Sequence, residues 1–307
     1  MMKRKIISTM IAAAMAAVLA AGCGSSKAAG TSAGVKDSSK TTAEQSSEGA
    51  SKKVLRVGME CAYAPFNWTQ ETDEVANDDK AVPIYGTNYY AYGYDVMMAK
   101  KIADGLGWDL EVHKVEWDSI GMGLDSKEYD CIIAGMGKTG EREQAYDFTE
   151  PYYYRDICIT VKKGSGLEDI KKLSDFKGKD ITVTTQLGTA WVDLLDQIPD
   201  VQLGANYATT AECFMAVSNG AADACVIDLP TSQSAALTND DLVLLDLDES
   251  DTIEDPTGST NVCIAVRKGD TELKDSIQGV MDQISWNDKA KMDEMMGEAI
   301  KLQPAAN

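Results

Sequence analysis

The chain has 307 residues, room for one large domain or two ordinary ones, and is 44% hydrophobic and 25% charged, so a packed core is possible and global disorder is excluded. A formal net charge of −20 with no basic stripe excludes a nucleic-acid binder. The single histidine, His113, cannot build a His-rich metal site, and no C-x-x-C occurs, so no metal and no cofactor is expected.

At the N-terminus, Lys3, Arg4 and Lys5 precede the apolar run Ile6–Ala20, the layout of a signal peptide. No internal run approaches the ~18 apolar residues of a spanning helix. Residues 1–22 are therefore read as a removable address. Leu19-Ala20-Ala21-Gly22-Cys23 resembles the lipobox of bacterial lipoproteins, in which the signal is cut before the cysteine and the thiol carries lipid. That resemblance implies palmitate-type lipidation at Cys23; an ordinary secreted chain with an incidental cysteine is the alternative. Residues 23–53 are rich in Ser, Ala and Lys and contain only one larger aliphatic residue, Val35. They cannot build a core and read as a flexible tether with a reach of roughly 30 Å.

The folded region begins with a strand-like alternation at 54–59, followed by a polar, aromatic loop over 61–93. Periodicity predicts helices over 94–106, 117–124, 189–197, 210–218, 271–285 and 289–302. Short apolar runs predict strands at 110–115, 130–134, 157–161, 181–185, 224–227, 242–247 and 262–266. Strands alternating with helices argue for an α/β fold, and some 250 residues argue for two lobes. Cys131, Cys158, Cys225 and Cys263 fall inside the apolar runs, where free buried thiols are expected.

Two motif matches fail on context. Gly135-Met136-Gly137-Lys138-Thr139-Gly140 spells G-x-G-x-x-G but lacks the long following helix and distal acid of a dinucleotide site. Gly137-Lys138-Thr139 ends like a phosphate loop, yet Ile132 stands where that loop needs its first glycine.

Five motifs in order carry a more specific resemblance: Leu55–Glu60 with Tyr63-Ala64-Pro65-Phe66, Gly93-Tyr94-Asp95-Val96, Asp130–Arg142 with Asp147-Phe148-Thr149 and Pro151-Tyr152-Tyr153, Gly188-Thr189, and Asp223-Ala224 with Asp228 and Pro230. Over residues 54–305 the chain resembles the polar amino-acid branch of the bacterial solute-binding proteins, family 3, of ATP-driven importers. The resemblance implies a two-lobed periplasmic-binding-protein-like (type II) fold with a ligand cleft between lobes. Lobe 1 would comprise 54–152 and 263–307. Lobe 2 would be 153–262, with hinge crossings near 152–156 and 258–262.

The same resemblance implies site residues. Arg142 would hold the α-carboxylate bidentately, with the backbone N–H groups of Thr189 and Ala190 meeting it from the other lobe at a helix start. Without the motif, Arg142 reads as a surface or capping arginine and Gly188-Thr189 as a simple cap. Asp228 would hold the α-ammonium, its alternative being the N-cap of the next helix. The Gly135 carbonyl would face the ligand. Tyr63 and Trp117 would sandwich its side chain, with Glu60 and Gln186 lining the same region; two rings suit an aliphatic stem, an aromatic ring or a cation, and a carboxylate beside them points to a cationic or donor-rich side chain. Gly137 stands where the family often has Ser or Thr, so either Thr139 or water would substitute or the ligand is not an ordinary α-amino acid. The function implied is an extracytoplasmic, lipid-anchored, monomeric receptor that captures a polar L-amino acid and delivers it to an ABC permease and its ATPase, without catalysis. A dehydratase acting on prephenate-like acids and a ligand-presenting sensory module are the alternatives.

Overall fold

The computed structural model describes residues 52–304; the expected signal peptide, Cys23 and nearly all of the tether lie outside the described residues. The described residues open with β1 (Val54–Met59), then β2 (Ala62–Tyr63), β3 (Asn67–Gln70), β4 (Val82–Pro83) and β5 (Tyr90–Tyr92). Next come α1 (Tyr94–Leu106), β6 (Asp109–Lys114), α2 (Ile120–Asp125), β7 (Cys131–Ile132), α3 (Gly140–Ala145) and β8 (Tyr146–Tyr153). The middle third holds β9 (Ile157–Lys162), β10 (Thr182–Thr184), β11 (Gln202–Leu203), α4 (Thr210–Asn219), β12 (Ala224–Asp228), α5 (Leu229–Thr238) and β13 (Leu242–Leu244). β14 (Val262–Arg267), α6 (Thr271–Gln283) and α7 (Lys289–Lys301) finish it.

These strands form two five-stranded sheets, ordered β6-β1-β7-β14-β8 and β11-β10-β12-β9-β13, and a small antiparallel sheet, β2-β3-β5-β4. The chain passes from the first large sheet to the second between β8 and β9 and returns between β13 and β14. Each large sheet buries its own apolar cluster. One centres on Leu55, Val57, Ile102, Ile132 and Ile264, the other on Val161, Phe176, Val183 and Val226. The fold is thus mixed α/β with two lobes, as the sequence implies.

Local chemistry sets the element ends. Helix α1 stops at Gly107, whose φ of 69° is left-handed and whose N–H bonds back into the last turn. Helix α4 starts from a reciprocal capping box between Thr209 and Glu212. All six cysteines among the described residues are free and buried.

Helix α5 and strand β11 are absent from the predicted spans, and three further segments depart from the sequence reading. The expected loop over 61–93 carries the four short strands of the small sheet. The expected α-helix over 189–197 is a turn followed by a 3-10 helix at Val192–Gln197. Its apolar residues Trp191, Leu194, Leu195 and Ile198 are buried at helical spacing, but Pro199 has no N–H to continue the ladder. The segment around Asp147 and Pro151, assigned no element from sequence, is the eight-residue strand β8. It lies at the sheet edge, and its pairing with β14 shifts register beside Pro151, the setting in which a strand accepts proline.

Candidate functional site

Strands β1, β6 and β7 run parallel in one sheet, as do β10, β11 and β12 in the other. The carboxyl ends of such strands are where open α/β sheets bind ligands. Glu60 follows β1, Trp117 follows β6, and Gly135 and Gly137 follow β7. Gln186 and Thr189 follow β10, and Asp228 closes β12. Topology therefore converges residues more than a hundred positions apart on one cleft. Of the residues expected from sequence, all but Thr139 and Asp228 line a single small cavity there, together with Ala134, Arg155 and Trp191.

The two lobes touch across this cleft. Tyr63 Oη donates to Asp228 Oδ2, and Gln186 Nε2 donates to Glu60 Oε1 at 3.1 Å. The carbonyl of Gly188 accepts from Arg142 Nη2 at 2.9 Å and from Trp117 Nε1 at 3.3 Å. Arg142 also donates through Nη1 to the Gly137 carbonyl at 2.7 Å and lies over the Trp117 ring, 5.0 Å from its centroid. The cleft is closed, and the cavity measures about 10 Å³, the room of one water. A wider cavity of about 460 Å³, bounded by Trp117, Tyr146, Leu187 and Gly188, reaches Arg142 from outside.

Asp228 is the N-cap of the next helix, one of its two sequence readings. Its Oδ1 accepts from Thr231 N at 2.9 Å and caps α5, while Oδ2 faces the other lobe. Thr139 acts on the helix instead of the cavity. Its Oγ1 accepts from Arg142 N at 3.2 Å and caps α3, holding the start of the helix that carries Arg142. Thr189 Oγ1 donates to the Gln186 carbonyl at 2.7 Å, and with no α-helix beginning at Thr189 the expected helix-start cradle is a turn. Gly137 has a local cause: a Cβ there would lie 2.3 Å from the Ser259 carbonyl oxygen. The returning segment before β14 packs directly on that backbone, so a Ser or Thr would push it away.

Arg155, in the first crossing between lobes, was not anticipated. Its Nη2 donates to the Gly135 carbonyl at 2.7 Å and to Tyr63 Oη at 2.9 Å, and Nη1 donates to the Thr260 carbonyl at 3.3 Å. Its Nε lies 3.9 Å from Asp228 Oδ2, and the side chain is only 4% exposed. The rings of Phe66 and Trp191 face the guanidinium at 4.8 and 5.1 Å. A carboxylate, carbonyls and aromatic faces together make a cation seat, and the protein's own arginine fills it. The available signal was a lone cation ending an aromatic run just before a strand.

A second layer fixes Gly135. Its N–H donates to Tyr152 Oη at 3.2 Å; Tyr152 Oη donates to Asp95 Oδ1 at 2.6 Å, and Asn67 Nδ2 donates to Asp95 Oδ2 at 2.7 Å. Gly135 itself needs to be glycine, with φ of 61° and a would-be Cβ 2.6 Å from Tyr63.

Burial governs the charges. It pushes the Glu60 carboxyl up to about 7, against the pull of the Gln186 hydrogen bond. It likewise raises Asp95 to about 6. Arg142 is lowered to about 10 by burial and then by repulsion from Arg155. For Arg155 burial opposes the cation, but Tyr63 and Asp228 outweigh it and the net direction is upward. Among the described residues no group of three or more His, Cys, Asp or Glu side chains is placed to hold a metal ion.

Two lobes with crossing segments that close a polar, aromatic-lined cleft define a hinged binding protein. The chain belongs to the bacterial extracellular solute-binding proteins, family 3, whose model matches residues 55–294. It is 28% identical over 249 residues to the arginine-binding extracellular protein ArtP of Bacillus subtilis, an alignment covering 79% of this chain and 85% of that one. It is 34% identical over 129 residues to the L-cystine-binding protein TcyA of the same organism, covering 42% and 41% of the two chains. Among solved structures, it is similar to an amino acid ABC transporter substrate-binding protein from Streptococcus pneumoniae bound to L-arginine. The TM-score is 0.67 and the identity 26%, with 82% of this chain and 95% of that one covered. It is also similar to AncCDT-1, an ancestral amino-acid-binding protein described as a precursor of cyclohexadienyl dehydratase, at a TM-score of 0.61 and 27% identity, covering 80% and 95%.

Proposed function

We propose that this chain is the membrane-anchored receptor of an amino-acid ABC importer, lipidated at Cys23, working as a monomer on the extracytoplasmic face of a bacterial membrane. It captures a polar L-amino acid between lobes 54–152 plus 263–307 and 153–262 and presents the closed form to a permease and its ATPase. The observation that carries this reading is the set of hydrogen bonds across the cleft, made by residues at the carboxyl ends of strands in both sheets. A ligand held from both sides favours closure by its differential contact with the closed state. Arg142 holds the α-carboxylate; Asp228 and the Gly135 carbonyl form the polar wall opposite. Segments 152–156 and 258–262 act as the hinge. The cleft binds without turnover.

A thermal-shift screen tests the reading. The refolded, ligand-stripped chain is titrated with the twenty amino acids, ornithine, citrulline, cystine, quaternary amines and prephenate. A ligand at a thousandfold its Kd adds about 4 kcal/mol of stability. A shift with an amino acid is the expected result. Response only to prephenate, with turnover, would replace the receptor by a dehydratase.

A further inference from the structure

The cleft holds two guanidinium groups, Arg155 buried and Arg142 half-buried, with few carboxylates beside them. Arg155 is enclosed by Phe66, Trp191 and the Gly135 carbonyl. Arg142 is bonded to two carbonyl oxygens. Among the described residues, Asp228 is the one carboxylate within 4 Å of either group, at 3.9 Å from Arg155 Nε. That Nε is buried with no hydrogen-bond partner. Glu60 shares the cavity wall but bonds Gln186 instead. Buried charges require opposite charges, and a buried cation beside another cation is costly.

A zwitterion with a neutral side chain does not relieve this imbalance. Its carboxylate answers Arg142, but its ammonium competes with Arg155 for Asp228. A cationic side chain adds a further positive charge. A second carboxylate on the ligand supplies a counter-charge between the two arginines and an acceptor for the unpartnered Arg155 Nε.

We infer that Arg155 is the specificity-determining residue of this cleft: by filling the cation seat with the protein's own guanidinium, it turns the receptor toward amino acids with an acidic side chain and away from cationic ones. The inference rests on the amino-acid-receptor reading and names its ligand class. It reverses the cationic preference that Glu60, Tyr63 and Trp117 suggest from sequence. With only about 10 Å³ free in the closed cleft, the ligand enters as the lobes part, approaching Arg142 from the wider outer cavity. Its two carboxylates then lie between the two arginines and keep the lobes further apart than they are here.

Calorimetric titration of the refolded full chain with L-glutamate, L-aspartate, L-glutamine, L-arginine and L-lysine tests this, beside Arg155→Ser and Arg155→Lys. The expected result is an acidic ligand bound at least tenfold more tightly than either cationic one. Arg155→Ser should lose at least tenfold for that ligand and gain for arginine or lysine, while Arg155→Lys keeps the order. Tighter binding of arginine or lysine by the wild type overturns the inference and leaves the receptor reading standing. So does an unchanged order in folded Arg155→Ser; if that variant fails to fold, the wild-type order and Arg155→Lys decide. Absence of binding to every amino acid, by heat and by thermal shift, overturns the receptor reading itself and the inference with it.

Discussion

Glu60→Gln separates a buried charge from a buried hydrogen bond. Glu60 is 6% exposed, and its carboxyl is pushed up to about 7 from an ordinary 4.5, chiefly by burial. Its neighbours Glu116 and Asp95 push the same way, while the Gln186 amide and Arg155 oppose them. An acid whose folded-state value is raised prefers to be protonated in the fold. Its contribution is therefore fully favourable below about pH 4.5 and is lost progressively as pH rises through about 7. That gap corresponds to about 3 kcal/mol, an upper figure for a site that can relax. Glutamine keeps an oxygen to accept from Gln186 Nε2 and removes the titration. Urea unfolding of the ligand-free protein at pH 4.5 and pH 8 reads the effect. We expect the variant to match the wild type within about 0.5 kcal/mol at pH 4.5 and to exceed it by about 1–3 kcal/mol at pH 8. Asp95, raised to about 6 chiefly by its own burial, adds a similar loss in both proteins and largely cancels in the difference. Equal differences at the two pH values would refute the argument that desolvation of Glu60, rather than its shape, controls this corner of the cleft.

Other predictions follow from individual contacts. Arg142→Ala and Asp228→Ala should each weaken amino-acid binding by more than ~2 kcal/mol, the scale for truncating a buried charge pair, and titration showing both within twofold of wild type would sink the proposed site. Asp228→Ala should also lower stability by about 3–5 kcal/mol, because it strands Arg155 without its carboxylate as well as uncapping α5. Gly137→Ser should destabilise by about 1–3 kcal/mol in thermal unfolding, since its Cβ would meet the Ser259 carbonyl at 2.3 Å; a neutral result would mean that the 255–261 segment yields freely. Cys23→Ala should release or misprocess the protein in cells, and unchanged palmitate labelling would refute lipidation there.

The parts of this protein written in periodic or capped sequence are readable from the residues alone. Helix α1 occupies the 94–106 span its apolar spacing predicts, because Gly93 and Gly107 punctuate both ends. Strand β1 lies in an alternating stretch and β12 and β14 in apolar runs, and all three sit in sheet interiors. Strand β8 was hidden because edge strands tolerate the very residues, Asp147 and Pro151, that read as breaks. The small sheet was hidden because its strands are two to four residues long, too short for a period-2 signal.

The cleft was legible wherever a residue belongs to a motif, and opaque wherever its role depends on what faces it. Tyr63, Arg142 and Asp228 stand in recognisable stretches, and the fold brings them within one hydrogen-bonded neighbourhood. Arg155 does not. Nothing in Tyr152-Tyr153-Tyr154-Arg155 says that the guanidinium turns inward between rings from two lobes, because Phe66 and Trp191 are separated by more than a hundred residues and each faces Arg155 from its own lobe. Sequence thus read the carboxylate at Asp228 as awaiting a ligand's ammonium, whereas the structure gives it a cation from the chain itself. Moving one positive charge from ligand to protein leaves the fold and the hinge logic untouched and changes what the cleft must attract. If Arg155 sets the ligand class as inferred above, specificity follows from the charge sum of the cleft, and one crossing residue is enough to shift it.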